Sequence, residues 1–209
     1  MKEFLSEIKY GFYIAVRPFK GFWDIKHEGR GSVRAATFLL VLYTLLSVLS
    51  GYMTGYLFNS YDRGEFQAFR QIFTVLALFF CYCIANWGFT CLFDGEGTFR
   101  DIYRATGYAL LPLIISELLL IPLSNLFVNN ERAFYTTIGT FAVIWTAFLL
   151  LVSILMAHNY SLGKGLVMVI CIIFGMCVIA YVALLFFNLI QQMIGFLTTV
   201  AAEFSARYL

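Results

Sequence analysis

The chain has 209 residues, of which 61% are hydrophobic and 19% aromatic, and its mean hydropathy is +0.83. Soluble domains hold only roughly 45–50% apolar residues, so this composition excludes an ordinary water-soluble protein. The formal net charge of +2 gives no basis for nucleic-acid binding. Membrane spans of about 20 residues leave no room for a soluble catalytic domain. We therefore predict a single all-α integral membrane domain over residues 1–209.

The first 35 residues are predicted to form an amphipathic arm on the cytoplasmic side. Their longest unbroken apolar run, residues 12–16, is shorter than the roughly 7–15-residue core of a secretory signal. Pro18 is expected to end or bend the helix, giving two short segments in the headgroup plane. Both passive anchoring on anionic lipid and binding of a partner protein fit such an arm. Its predicted apolar stripe consists of Phe4, Leu5, Ile8, Phe12, Ala15, Val16, Phe19, Phe22 and Trp23.

Five apolar stretches, each long enough to cross about 30 Å of hydrocarbon, follow the arm. They are residues 36–58, 72–93, 107–127, 137–157 and 165–189. An odd number of spans places the two termini on opposite sides. With the N-terminus inside, ten Lys and Arg residues lie on cytoplasmic segments and four on the other side. This asymmetry predicts a protein of the cytoplasmic membrane with its N-terminus in the cytoplasm and its C-terminus outside.

All five cysteines fall in predicted spans, where they behave as small apolar residues rather than as a disulfide framework. Nothing in their spacing indicates a metal site, and no cofactor is expected. Gly51 and Gly55, at i and i+4, allow close helix approach either inside the bundle or in a dimer. The cysteines are Cys81, Cys83, Cys91, Cys171 and Cys177.

The most irregular apolar stretch is residues 93–122, FDGEGTFRDIYRATGYALLPLIISELLLIP. Gly95 and Gly97 allow a tight turn there, and Thr98 is predicted to cap a short helix. Pro112 and Pro122 each remove a backbone hydrogen bond from the third span, so both are predicted helix breaks.

Glu117 lies between these prolines, at a depth where a charged carboxylate is costly. We expect it to face the bundle interior and to be protonated or paired. It serves either as a structural tie or as part of a proton or cation pathway. His158 is interpreted as a solvated residue at the cytoplasmic end of the fourth span. Candidate partners of Glu117 are Ser116, Asn86, Asn188 and His158.

No catalytic site is predicted. The sequence has no HExxH pair, no serine nucleophile elbow and no glycine-rich phosphate loop. The two histidines, His27 and His158, lie in separate segments. We therefore expect a protein that is not an enzyme.

Three segments occur in a characteristic order: RPFKGF at residues 17–22, GTFRDIY at 97–103 continuing to GYALLP at 107–112, and HNYSLGK at 158–164. In this order they resemble the Yip1 domain family, five-span membrane proteins with a cytoplasmic N-terminus. Eukaryotic members are associated with early secretory trafficking and Rab-type GTPases, whereas the short tail of this chain is similar to the bacterial branch. The family-motif positions are Pro18, Gly97, Tyr103, Gly107, Tyr108 and Pro112.

From this resemblance and the missing catalytic motifs we predict a non-catalytic, multi-pass scaffold or accessory factor. Its expected partners are the lipid bilayer and other integral membrane proteins, or a second copy of the chain, but no nucleic acid. The alternative is a component of a small-solute or ion transporter or channel that uses Glu117 in the third span. A transport pathway needs several polar residues converging on Glu117, whereas a scaffold needs only satisfied ones.

Overall fold

A computed structural model describes residues 2–58, 68–90, 92–93 and 95–208 of the chain. Cys91 lies outside these ranges. Regular structure within them is helical, with a 3₁₀ turn at Asn129–Glu131 before the seventh α-helix. The α-helices are α1 (Lys2–Val16), α2 (Pro18–His27), α3 (Val33–Met53), α4 (Ala68–Thr90), α5 (Phe99–Ala109), α6 (Leu111–Leu126), α7 (Arg132–His158) and α8 (Leu162–Tyr208).

Five segments are long and apolar enough to cross a membrane. They are α3, α4, the consecutive helices α5 and α6, α7 and α8. This confirms the predicted all-α membrane bundle of five spans. We call the end of the bundle where α2 ends, α4 connects to α5 and α7 connects to α8 the arm end.

The first span is shorter than predicted. α3 ends at Met53 rather than at residue 58, because the backbone of Thr54 is extended. The N–H of Gly55 then donates to Oγ of Ser124 on α6 at 2.9 Å. A Cβ at Gly55 would lie 2.4 Å from the Ser124 carbonyl oxygen. This glycine is therefore used for contact inside the bundle.

The N-terminal arm folds as a helical hairpin. α1 ends at Val16, and Pro18 occupies the first turn of α2, where its missing N–H costs no hydrogen bond. The two helices run antiparallel and touch at Gly21, where a Cβ would lie 2.8 Å from Cγ1 of Ile14. The Tyr10 hydroxyl of α1 donates to the Gly21 carbonyl at 2.9 Å. Burial and the neighbouring Asp24 raise the pKa of Tyr10, so its hydroxyl keeps its proton as a donor.

The hairpin lies along α7. Nε1 of Trp145 donates to the Ala15 carbonyl at 3.2 Å, and Nζ of Lys26 donates to the Ala157 carbonyl at 2.7 Å. Trp145 and Ala157 are roughly 18 Å apart along a helix that rises 1.5 Å per residue. The two arm segments therefore lie along α7, because the reversal at Pro18 folds α2 back onto it.

The predicted apolar stripe of the arm is divided between the core and the surface. Phe22 is only 2% exposed and belongs to the main hydrophobic core. Ile14 and Ile25, which the predicted stripe omits, are buried in the same core. Phe4 and Leu5 lie among residues 1–5, outside the described side chains; in the rest of the arm the exposed apolar side chains include Phe12, Val16, Phe19 and Trp23.

The third span consists of two helices. Thr98 caps α5 as predicted, since its hydroxyl accepts from the Asp101 N–H while the Asp101 carboxylate accepts from the Thr98 N–H. α5 ends at Ala109, and Pro112 lies in the first turn of α6. Pro122, predicted to break the helix, lies inside α6, which continues to Leu126. The side chain of Asn125 stabilises this last turn by donating to the carbonyls of Ile121 and Met53 at 3.1 and 3.0 Å.

The last helix extends far beyond the predicted end of its span at residue 189. α8 has 47 residues, a length of about 70 Å, more than twice the roughly 30 Å of bilayer hydrocarbon. Its first part packs on α4 and α7 through Met168, Ile172 and Ile179. The described side chains after Ile179 are exposed, apart from the partly exposed Ile190.

Candidate functional site at the arm end

His158, the last residue of α7, is buried and holds two chain connections together. Its side chain is 2% exposed. The Gly97 N–H donates to Nδ1 at 3.2 Å, and Nε2 lies 3.2 Å from Oδ1 of Asn86 on α4. Because Nδ1 is an acceptor, the ring proton is on Nε2 and is donated to Asn86. The imidazole is thus a neutral structural link and not the solvated boundary residue that the sequence indicated.

Only glycine fits at residue 97. A Cβ there would lie 2.7 Å from Cε1 of His158. On the other side of the imidazole, Tyr160 stacks with a ring distance of 5.2 Å. The Tyr160 hydroxyl donates to the Phe93 carbonyl at 3.0 Å. The connection between α4 and α5 is thus fixed to the end of α7 at two points.

An outer layer of polar contacts surrounds this buried link. Nζ of Lys26 and Nδ2 of Asn159 both donate to Oε2 of Glu96, at 3.2 and 2.7 Å. Asn159 adopts a left-handed conformation with φ 54°, which Asn tolerates better than most residues. Lys26 also donates to the Ala157 carbonyl, so it caps the C-terminus of α7. Hydrogen bonds from Lys26 and Asn159, with the charge of Lys26, lower the pKa of Glu96.

Tyr108 forms a second junction, between α5 and the arm. It is fully buried, and its hydroxyl accepts from the Ser32 N–H and donates to the Glu7 carbonyl, both at 3.3 Å. Gly31 has φ 76° and lies so close that a Cβ would be 2.8 Å from the Tyr108 ring. The sequence analysis did not select Glu7, Gly31 or Ser32. The signal it passed over is GRGS immediately before an apolar run.

The remaining motif residues hold α5 against its neighbours. Gly107 lies against α3, where a Cβ would be 2.7 Å from Cβ of Ala36. The Tyr103 hydroxyl lies 3.0 Å from the Thr37 hydroxyl, and its ring meets that of Phe79 edge to face at 5.3 Å. These contacts place α5 between α3 and α4.

Glu117 is partly buried on α6 and turns toward α3. Ser50, Tyr43 and Tyr135 lie near enough to its carboxyl to interact with it. The partners predicted from the sequence lie elsewhere. Ser116 donates to the Leu113 carbonyl at 2.9 Å, Asn86 meets His158, and Asn188 accepts from Gln192 at 3.1 Å on the exposed part of α8. The structure therefore brings together Asn86 and His158, but not as neighbours of Glu117.

Two of the three motif segments, GTFRDIY and HNYSLGK, meet at the arm end through Gly97 and His158. A model of the Yip1 domain matches residues 12–185. The chain belongs to the Yip1 domain family. Neither the curated proteins nor the solved structures include a match. The matched region contains every Yip1 motif segment named above, and it ends within α8.

The arm end of this Yip1 domain offers hydrogen-bonding and ion-pairing groups rather than a metal centre. Among the described residues, no three His, Cys, Asp or Glu side chains lie together as ligands would. Glu96 and Asn159 are exposed, and Glu96 lies beside Lys26 at the end of α2. Chemically, the arrangement can bind other polar or charged groups.

Proposed function

We propose that this Yip1 domain protein is a non-catalytic scaffold or accessory factor that offers its arm end to partner proteins. The observation that carries the proposal is the state of His158, whose two ring nitrogens are both used in structural hydrogen bonds. An imidazole in that position has no nitrogen left to act as a general base. Membership of the Yip1 family supports the same conclusion.

We propose that the arm end faces the cytoplasm, in the cytoplasmic membrane. Basic residues are concentrated there, with Arg30, Arg34, Arg100 and Lys164 at or beside its connections. The positive-inside rule then places the C-terminus outside. Cysteine introduced at Glu3 should resist a membrane-impermeant thiol reagent in intact cells, whereas cysteine at Ser205 should react. Labelling of the cysteine at Glu3 but not of the cysteine at Ser205 would show that the orientation is the opposite one.

The proposed contact surface extends from the arm end along the outer face of the arm toward the turn at Pro18. Exposed Phe12 and Phe19 alternate there with exposed Lys9, Arg17 and Lys20, a mixture suited to the headgroup region and to a partner at the same depth. Affinity purification from mild detergent with quantitative mass spectrometry tests the role. F12S/F19S should lose the co-purifying membrane proteins. The matched change F196S/F204S on α8 should keep them, and equal recovery with both variants would contradict the proposal.

A transporter or channel component is the second candidate, supported by the carboxyl of Glu117 inside a span. Ser50 and Tyr135 lie around it, on two other spans. Proteoliposomes with a pH-sensitive dye inside distinguish the two functions. A scaffold predicts no proton flux above that of protein-free liposomes. Flux in the wild type that Glu117→Gln abolishes would favour transport.

A further inference from the structure

A polar cavity of about 430 Å³ lies at the arm end, between the α2–α3 connection and α5. This volume is within the range of roughly 300–1,000 Å³ found for small-molecule sites. It is separate from the contacts of His158. Its lining includes Gly29, Gly31, Ser32, Arg34, Arg100 and Arg104.

Three arginines give the cavity a strong positive charge, and its lining residues include no acid. Arg100 and Arg104 are spaced i and i+4 on α5, where like charges repel. Three acids next to lining residues in the chain or in contact with them already have partners, and one of these is Glu28, which pairs with Arg30 at 2.8 Å. Asp101 pairs with Nη2 of Arg104, and Oε2 of Glu7 accepts from Oγ of Ser32 at 2.6 Å. Arg34 and Arg100 are both exposed, so their charges remain available to a ligand.

Arg104 is held in place but is not fully satisfied. Its Nη1 donates to the Gly31 carbonyl at 3.3 Å, and Nη2 contacts Asp101. Within the part of the chain that the structure describes, Nε of Arg104 is buried and has no hydrogen-bond partner. Buried donors in native proteins nearly always have a partner, so a water molecule or a ligand atom is expected beside this nitrogen.

The backbone at the cavity adds further donors. Ser32 caps α3, and its oxygens take the N–H groups of Ala35 and Ala36. The first two amides of the helix, those of Val33 and Arg34, have no intrahelical acceptor and carry the positive end of the helix dipole. Gly29 has φ 64°, and a Cβ there would meet nothing within 4 Å, so this side of the cavity is open.

We propose that this cavity binds a phosphate group, presented either by an anionic lipid headgroup or by a free phosphate compound. Guanidinium groups and helix N-terminal amides are the donors that proteins use for phosphate. The cavity lies where α3 begins its span, at the depth expected for lipid headgroups, and basic pockets between spans bind such headgroups. The site does not depend on the proposed scaffold role.

Two arms of one experiment distinguish the sources. The full chain is placed in nanodiscs of phosphatidylcholine alone and in nanodiscs that also contain phosphatidylglycerol. Inorganic phosphate is titrated into the nanodiscs of phosphatidylcholine alone. Native mass spectrometry counts retained lipid, and thermal unfolding reports phosphate binding. R34Q/R100Q leaves the contacts of Arg104 unchanged. R70Q/R132Q removes the same charge from the opposite end of the bundle.

Retention of phosphatidylglycerol by the wild type and R70Q/R132Q, and a roughly thirtyfold weaker retention by R34Q/R100Q, would establish a lipid site. A site for a free phosphate compound would be established by a different result. Inorganic phosphate would then stabilise the wild type and R70Q/R132Q more than R34Q/R100Q, and none of them would retain phosphatidylglycerol preferentially. Indistinguishable behaviour of the two double variants with both anions would overturn the proposal.

The wild type alone provides a test if R34Q/R100Q does not fold. Phenylglyoxal modifies arginine, and peptide mapping by mass spectrometry gives the rate at each residue. Phosphatidylglycerol or inorganic phosphate should slow modification of Arg34 and Arg100 but not of Arg70 and Arg132. If these anions leave the modification rate of each of the four residues unchanged, the site is also refuted.

Discussion

The backbone N–H of Gly97 donates to Nδ1 of His158 at 3.2 Å, so close that a Cβ on residue 97 would lie 2.7 Å from the ring. Gly97→Ala should therefore push the buried imidazole away from Asn86 and break both of its hydrogen bonds. We expect a loss of about 1–3 kcal/mol in the free energy of unfolding, measured by thermal unfolding in detergent. Gly163→Ala is the control, since a Cβ there meets nothing within 4 Å. Equal stability of the two variants would contradict this account.

Stability of the α4–α5 connection should depend on the charge of Glu96. Its pKa is lowered by hydrogen bonds from Lys26 and Asn159 and by the charge of Lys26. A lowered folded-state pKa means that the stabilisation is complete above the ordinary Glu value of about 4.3. It is lost as the pH falls through the lower folded-state pKa.

Limited proteolysis at residues 92–98 across this acidic range measures the effect. Wild type should become more sensitive as the pH falls, whereas Glu96→Gln should show little change with pH because its side chain does not titrate. The effect should be small, since Glu96 is exposed and surface ion pairs contribute little. The same acid sensitivity in Glu96→Gln would assign the effect to another group.

Two substitutions of Glu117 should show whether the stability of the bundle depends on a polar side chain at this position or on the carboxylic acid itself. Glu117→Gln keeps a polar group of the same shape beside Ser50, so we expect a thermal stability close to that of the wild type. Glu117→Leu removes the polar group beside Ser50 and should cost about 1–3 kcal/mol. The two variants are compared by thermal unfolding in the same detergent. A Gln variant as unstable as the Leu variant would show that the contact requires the acid.

The sequence predicted the parts of this structure that depend on local signals. Pro18 and Pro112 cannot supply an N–H, and Thr98 can cap a helix, so each marks a boundary whatever packs around it. The buried position of His158 could not be predicted, because its partner Gly97 is 61 residues away in the chain. Similarly, the contact of Glu117 with Ser50 depends on how α6 is rotated against α3.

The sequence predicted the end of a span at residue 189 but not the continuation of the helix α8 beyond it. Polar residues from Asn188 onward end the apolar run, but they do not interrupt backbone hydrogen bonding. At 100° per residue, the segment from Asn188 to Phe204 is amphipathic. One side carries Asn188, Gln191, Gln192, Gly195, Thr198, Thr199 and Glu203, and the other carries Ile190, Met193, Ile194, Leu197, Val200 and Phe204.

We expect α8 to leave the hydrocarbon near Asn188 and to continue along the membrane surface, because its full length exceeds the bilayer thickness. Spin labels at Gln192 and Thr199 should be accessible to a water-soluble relaxation agent, and labels at Met193 and Leu197 to oxygen in the lipid. Equal accessibility at all four positions would contradict an interfacial segment.

The most direct test of the central claim, that the arm end is where partner proteins bind, is photo-crosslinking in living cells. A photoreactive amino acid replaces exposed Ser161 at the arm end, or exposed Asn130 at the opposite end, and mass spectrometry identifies the adducts. We predict discrete protein adducts from position 161 and none from position 130. Protein adducts from position 130 alone, or equally from both positions, would contradict the account.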